Sequence, residues 1–242
     1  MIVTFSPAAL VGNLKAALLA ACEDQTRPHL ACVRLELAKS RARFVATNGH
    51  WLWMNEIQAE CIIGVDEKGR EVLDEKTSAV LHLPIAEVAK MHRAINLKKA
   101  FKDHEVLLDT EARVLVQDGQ PGVVFSTADV QFPPYGQIVP QLSLEGSRLA
   151  CGADAAYLEA IARAFAFAWL EKPSEAVRSP PVLVHNVASS QRGPIVMTSQ
   201  KVPHAVAVLM PCVVDGAQEH SVEAAERART PLAVETPAKK VA

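Results

Sequence analysis

One order of elements recurs three times along this chain, and nothing else in the sequence narrows the fold as much. The first unit opens with a short strand, Ile2 to Phe5, followed by Ser6-Pro7, a pair suited to an N-cap and a first helical turn. The helix predicted from there to about Ala21 carries Leu10, Leu14, Ala17, Leu18 and Ala21 on one face. Three strands follow: Leu30 to Leu37, Arg43 to Thr47 and Trp51 to Ile57, the last two joined by the turn pair Asn48-Gly49. In the first of these, Cys32 and Arg34 point opposite to Val33 and Leu35.

The second unit has the same grammar. Ala79 to Leu83 reads as a strand, Pro84 starts a helix, and Ile85, Val88, Met91 or His92, and Ile95 form its buried stripe. Strands are expected at Glu105 to Asp109, Arg113 to Gln117 and Gly122 to Thr127, with turns at Thr110-Glu111 and Asp118-Gly119. The third unit begins at Arg148 to Cys151, with Asp154 as helix cap and Leu158, Ile161, Ala162 and Phe165 as the buried face. Its strands are expected at Val182 to Asn186, Pro194 to Thr198 and Ala205 to Met210.

A single strand-helix-three-strand unit exposes a helix face and a sheet face that it cannot cover alone. Two units packed back to back solve this, so the chain reads as α+β with a complete domain over 1–140 and a half domain over 141–214. The joints are Cys61 to Ser78, charged and glycine-containing, and Phe132 to Gly146, rich in Pro and Gly. Beyond about Asp215 large apolar residues become scarce, and 215–242 reads as a disordered tail. An odd number of units leaves one half domain unpaired, which predicts assembly with another chain.

Composition bounds the function from the other side. Half of the 242 residues are hydrophobic and the net charge is -2, so contact with nucleic acid must come from a local concentration of Lys and Arg. The five cysteines are odd in number and contain no C-x-x-C pair, which favours reduced thiols in a cytoplasmic protein. Met1 is followed by a short apolar run and Ser6-Pro7, unlike a signal peptide. The most apolar helix, Tyr157 to Leu170, is short and carries Glu159 and Arg163, so no membrane contact is expected. Cys22, His29, Cys32 and His50 match no common zinc spacing, and neither a metal nor another cofactor is expected. Phosphate-loop, dinucleotide, nucleophile-elbow and H-E-x-x-H motifs are missing, which argues against an enzyme.

Particular residues carry a resemblance. Thr26-Arg27-Pro28-His29-Leu30 and Phe44-Val45-Ala46-Thr47-Asn48-Gly49-His50-Trp51-Leu52 resemble the middle domain of the bacterial DNA polymerase III beta subunit, the sliding-clamp family. Phe132-Pro133-Pro134-Tyr135-Gly136-Gln137-Ile138-Val139-Pro140 resembles that family's linker between its middle and last domains, and Ala205 to Pro211 resembles its C-terminal strand. The three motifs occur in the family's order and cover roughly residues 1 to 213. The resemblance implies a processivity-factor fold: helices lining a ring around duplex DNA, sheets outside, and no catalysis. It also implies that the family's first domain and the first half of its last are missing.

Two sets of site residues follow from the resemblance. Sequence-independent phosphate contacts are expected from Lys15, Arg27, Lys90, Arg93, Lys98, Lys99, Lys102 and Arg163. Read alone, the cluster from Lys90 to Lys102 is an ordinary solvated helix end, where basic residues are favoured anyway. Peptides of polymerases and clamp loaders are expected in a pocket of Leu30, Thr47, Gly49, His50, Leu52, Pro133, Ile138, Val208, Leu209, Met210 and Pro211. Trp51 stands where the family usually has Arg, and Gln137 where a basic residue is common. A ring of twelve helices about 10 Å apart has a hole of roughly 28 Å against roughly 19 Å for nine, which favours a homotetramer over a trimer or dimer. A half-clamp mimic that inhibits a full-length clamp, and more remotely a divergent hydrolase, are the other readings of the same chain.

Overall fold

The computed structural model describes residues 1–38, 40–65, 71–73, 78–98, 100–101, 104–137, 155–169, 182–186 and 194–210, with backbone alone for 61–65, 71–73 and 185–186. The expected strand at 148–151, the Asp154 cap and the tail lie outside these residues. The elements run β1 (Ile2–Phe5), α1 (Pro7–Ala20), β2 (Cys32–Ala38), β3 (Arg41–Thr47), β4 (Trp51–Gln58), β5 (Glu60–Val65), β6 (Glu71–Leu73), β7 (Ser78–Pro84) and α2 (Ile85–Ala94). They continue as β8 (Val106–Asp109), β9 (Val114–Gln117), β10 (Val123–Val124), a 3-10 turn (Tyr135–Gln137), α3 (Ala155–Trp169), β11 (Leu183–Asn186), β12 (Ile195–Ser199) and β13 (Val202–Leu209).

Pairing between the first two units is reciprocal. The three strands β2, β3 and β4 of the first unit take β7, the opening strand of the second, as an edge neighbour; β8, β9 and β10 of the second take β1 of the first. The third unit is not left standing alone. Its strand β13 pairs antiparallel with β4, Ala207 opposite Trp53 and Val208 opposite Leu52, giving the seven-stranded sheet β11-β12-β13-β4-β3-β2-β7.

The Cys61 to Ser78 joint is structured rather than a bare linker: β5 and β6 within it extend the other sheet, in the order β10-β9-β8-β1-β5-β6. Glycine and charge at a sheet edge resemble loop composition, which hid these strands. The strand expected over Gly122 to Thr127 is only Val123–Val124; the Phe125 N–H still donates in register to the Arg113 carbonyl, and the chain beyond it is irregular. Gly49 and Gly119 have φ of +91° and +74°, as the two turns predicted there require.

Both sheets and the helices α1, α2 and α3 share one core. It includes Val3, Phe5 and Leu108 from the six-stranded sheet, Leu35, Phe44 and Trp53 from the seven-stranded sheet, and Leu14, Met91 and Phe165 from the helices. Helix α1 is buried on more than its predicted face, since α2 and α3 both contact it. Gly12 lets two helices touch: a Cβ there would collide with the Phe167 carbonyl oxygen, so the backbones of α1 and α3 meet directly. Asn13 on α1, fully buried, accepts a 2.7 Å hydrogen bond from the Asn55 amide on β4, which fixes the helix along the sheet. Ser6 sits at the N-cap without a capping side-chain bond.

Two predicted faces shift. On α3 the buried residues are Ile161, Ala164 and Phe165, while Leu158 is 39% exposed and Ala162 half-buried. The stripe turns toward the sheet because Phe165 packs edge-on against Trp53, with ring centroids 5.0 Å apart. Strand β2 alternates as expected, yet Cys32 is as buried as Val33. Val33 faces the helices; Cys32 faces a second apolar cluster on the far side of the sheet.

Candidate functional site

That second cluster is the floor of the site. Period-two alternation on five strands (β2, β3, β4, β12 and β13) sends one set of side chains to the helices and the other to the outer face. On β4, Trp51 and Trp53 go inward and Leu52 outward; on β13, Ala207 and Leu209 go inward and Val208 outward. Cys32, Val45, Leu52, Val196 and Val208 thus form an apolar outer patch, and a strap of chain over residues 128–137 lies across it. Phe132 of the strap is only 5% exposed, so this part of the predicted Phe132 to Gly146 joint is fastened down. Burial of the patch also pushes the Cys32 thiol up to about 11, which keeps it protonated and inert.

Beside the strap an apolar depression of about 120 Å³ opens between β4, β13 and Pro133, lined by Leu30, Thr47, Gly49, His50, Trp51, Leu52, Pro133, Val208 and Met210. Eight of these nine are among the residues expected to form the pocket, and Trp51 joins them. Leu209 does not line it. Its neighbours Val208 and Met210 do, so alternation turns Leu209 into the helix-side core, where it is 0% exposed. Ile138 and Pro211 lie outside the described residues.

The depression offers few free polar groups. The Thr47 hydroxyl donates to the Trp51 carbonyl at 2.8 Å and accepts the Gly49 N–H at 3.1 Å. The Asn48 side chain accepts from the His50 and Trp51 amides and closes the turn. His50 stacks on Tyr157 of α3 with centroids 5.4 Å apart, which stands the imidazole at the rim. An uncharged apolar side chain is the occupant such walls would accept.

An ionic cluster fastens the strap on its other side, and sequence reasoning missed it. Arg34 donates to Glu36 at 2.7 Å, Arg43 reaches Glu56 at 2.9 Å, and Arg41 reaches Glu56 at 2.8 Å. The Tyr135 hydroxyl lies 2.9 and 3.0 Å from the two Glu36 oxygens and accepts from Arg43 at 3.2 Å. Burial pushes the Tyr135 phenol above its usual range, so it remains a donor at neutral pH. Burial opposes ionisation of Glu56, but hydrogen bonds from Arg43 and Arg41 outweigh it and hold the carboxyl below its usual range. The signal was present as Arg34, Glu36, Arg41, Arg43 and Glu56 at every second strand position; only the register shows that they meet.

The basic residues are spread over several elements. Lys15 on α1 lies 5.7 Å over the Phe167 ring of α3. Lys15 and Arg93 both act on His92, whose imidazole is held below its usual range first by burial and then by these two cations. Arg93 and Lys98 are exposed at and beyond the end of α2. Lys90 instead bonds Glu87 and the Val124 carbonyl on β10, Arg27 lies 3.8 Å from Asp24, and Arg163 lies 4.0 Å from Glu159. Lys99 and Lys102 fall outside the described residues. Among the described residues no group of three His, Cys, Asp or Glu could hold a metal ion, and no helix is long and apolar enough to cross a membrane.

The fold has close counterparts. A DNA polymerase sliding clamp from Pseudomonas aeruginosa, solved with ligand, superposes with a TM-score of 0.63 at 14% identity over 88% of this chain. The DNA polymerase III beta subunit of Thermotoga maritima gives 0.65 at 12%, and the sliding clamp of Bacillus subtilis 0.61 at 11%, each over 88% of this chain. The chain spans 66%, 66% and 64% of those three chains, just under two-thirds of their length. No family model matches the sequence, and comparison with curated proteins finds no match. The α+β architecture of repeated units and antiparallel sheets is that of the sliding-clamp fold.

Proposed function

We propose that this chain is a sliding clamp that assembles into a ring around duplex DNA and holds replication proteins by peptides inserted beside the strap. The observation that carries the reading is the apolar depression between β4, β13 and Pro133, on a chain with the fold of solved clamps. Strands of the first and third units form its floor and the strap its wall, so it exists only where the units join. One solved relative, from Pseudomonas aeruginosa, is described as bound to griselimycin, so that fold accepts a ligand in at least one case.

Assembly follows from the strand edges. The β7 edge is covered where Ala128 donates to the His82 carbonyl, and the β10 edge is blunted by Lys90 on Val124. At the other end of each sheet, β6 and β11 have no further strand partner among the described residues, which suits head-to-tail closure, with four copies giving the twelve helices of a clamp ring. Lys15, Arg93 and Lys98, with Arg27, Lys90, Lys99, Lys102 and Arg163, would supply loose phosphate contacts. Such contacts position DNA without reading its sequence, so escape is limited by ring opening.

Light scattering across a dilution series, followed by retention on circular against linear DNA, tests the reading. A four-chain mass that stays on circles and slides off linear ends is the expected result. A monomer at every concentration would overturn the ring, and tight binding of that monomer to a full-length clamp would establish the inhibitory half-clamp instead.

A further inference from the structure

The strap is fastened twice, and the two fastenings differ in kind. Phe132 is buried in the outer patch and stacks on His82, with centroids 6.1 Å apart and rings 8° from parallel. That contact covers the sheet. At the second fastening the Tyr135 ring also packs against the patch, and its hydroxyl lies between Glu36 and Arg43, which remain partly exposed. What the hydroxyl adds is direction, because hydrogen bonds to ionised groups are geometrically demanding.

Direction matters because of what the strap touches between the two points. Pro133 is a wall of the apolar depression, and its carbonyl accepts the Tyr135 N–H at 2.7 Å. Gln137 donates to the Pro134 carbonyl at 3.0 Å, so 133–137 is one tight turn. The floor is set by strands: Leu52 and Val208 are each 1% exposed and locked in register, while Leu30, Gly49, His50 and Met210 line the rim from the adjoining connections. On the strap side Pro133 is the wall, and Tyr135, two residues on, holds the strap where it stands.

We propose that Tyr135, Glu36 and Arg43 are positioning residues for the apolar depression, setting the Pro133 wall and through it the affinity for an inserted side chain. The inference rests on reading the depression as a peptide site. The cluster sits outside the depression, so it acts on an anchor without touching it, and anything that neutralises Glu36 or occupies Arg43 loosens the grip.

The test uses the full chain and a fluorescein-labelled decapeptide with adjacent Leu and Phe as its apolar anchors. Tyr135→Phe keeps the ring against Arg34 and removes the hydroxyl; it is expected to weaken binding about tenfold at an unchanged melting temperature. In a Pro133→Gly background the same change is expected to cost less than about twofold, because its route to the anchor is gone. Equal losses in both backgrounds, or wild-type affinity in Tyr135→Phe, would overturn the inference and leave the peptide reading intact. Failure of the wild-type chain to bind removes the peptide reading and the inference with it. Hydrogen exchange at the Tyr135 and Gln137 amides reads the clip without any probe: a rise is expected in Tyr135→Phe, and unchanged exchange overturns the proposal.

Discussion

The outer faces of the two sheets are built from the same repeated unit and have opposite fates. On the seven-stranded sheet, Cys32, Val45, Leu52, Val196 and Val208 lie under Phe132 and its neighbours. On the six-stranded sheet, Ile2 is 40%, Leu107 41%, Val116 36% and Val124 64% exposed, and among the described residues no strap crosses them. Leu107 and Val116 are direct cross-strand partners there, so the bare face is a contiguous stripe. The difference teaches that a repeated unit supplies an apolar outer face by default, and that a covering segment turns such a face into a site with walls.

The largest effect expected from this contrast is on the strap's anchor. Phe132→Ala should cost about 3 kcal/mol in chemical denaturation, whereas Val124→Ala on the bare face should stay within about 0.5 kcal/mol. Equal costs would mean that the strap contributes nothing to the first face. Glu56→Gln comes next. It removes the carboxylate facing Arg41 and one of the two facing Arg43, whose Glu36 partner remains at 3.4 Å, and should cost about 1 kcal/mol, a modest figure because both arginines are partly exposed.

Acid should separate the two faces as well. His82, stacked under Phe132, is held below its usual range by burial and then by Arg34, with Asp129 opposing. A base with a lowered folded pKa contributes full stability above its ordinary value, about 6.5, and loses it as pH falls from there toward the folded value. The lowered Glu56 behaves as a paired carboxylate, its contribution present above about 4.5 and lost as pH falls through its folded pKa. Hydrogen exchange followed from pH 7 to 4 should therefore show the amides of 130–137 losing protection before those of β8 and β9. His82→Phe keeps a ring beside Phe132 and should flatten the earlier part of that loss. The smallest expected effect is at Leu107→Thr, which should leave stability nearly unchanged and only reduce the stickiness of the bare face.

The unit order, the turns at Gly49 and Gly119 and the inward stripes of β2 and α2 were legible in local spacing: period two, period 3.6, or a residue that accepts positive φ. The expected residues that line the depression came instead from the family resemblance. Leu209 was misassigned because a motif treats Val208, Leu209 and Met210 as one block, while a strand sends alternate residues to opposite faces. Leu158 was misassigned because helical spacing allows neighbouring stripes, and Trp53, from a distant strand, selected one of them. The ionic cluster was hidden for the same kind of reason, since Glu36, Glu56 and Tyr135 are brought together by strand register and a returning strap. The sequence by itself determined most of the strands and helices, because those choices are settled largely by each residue's nearest neighbours along the chain. Strands β5 and β6 escaped it, since they are strands only by pairing with β1 and each other. Only the tertiary structure decided which faces meet, since the apolar area on each unit exceeds what that unit can cover and the partner comes from elsewhere in the chain.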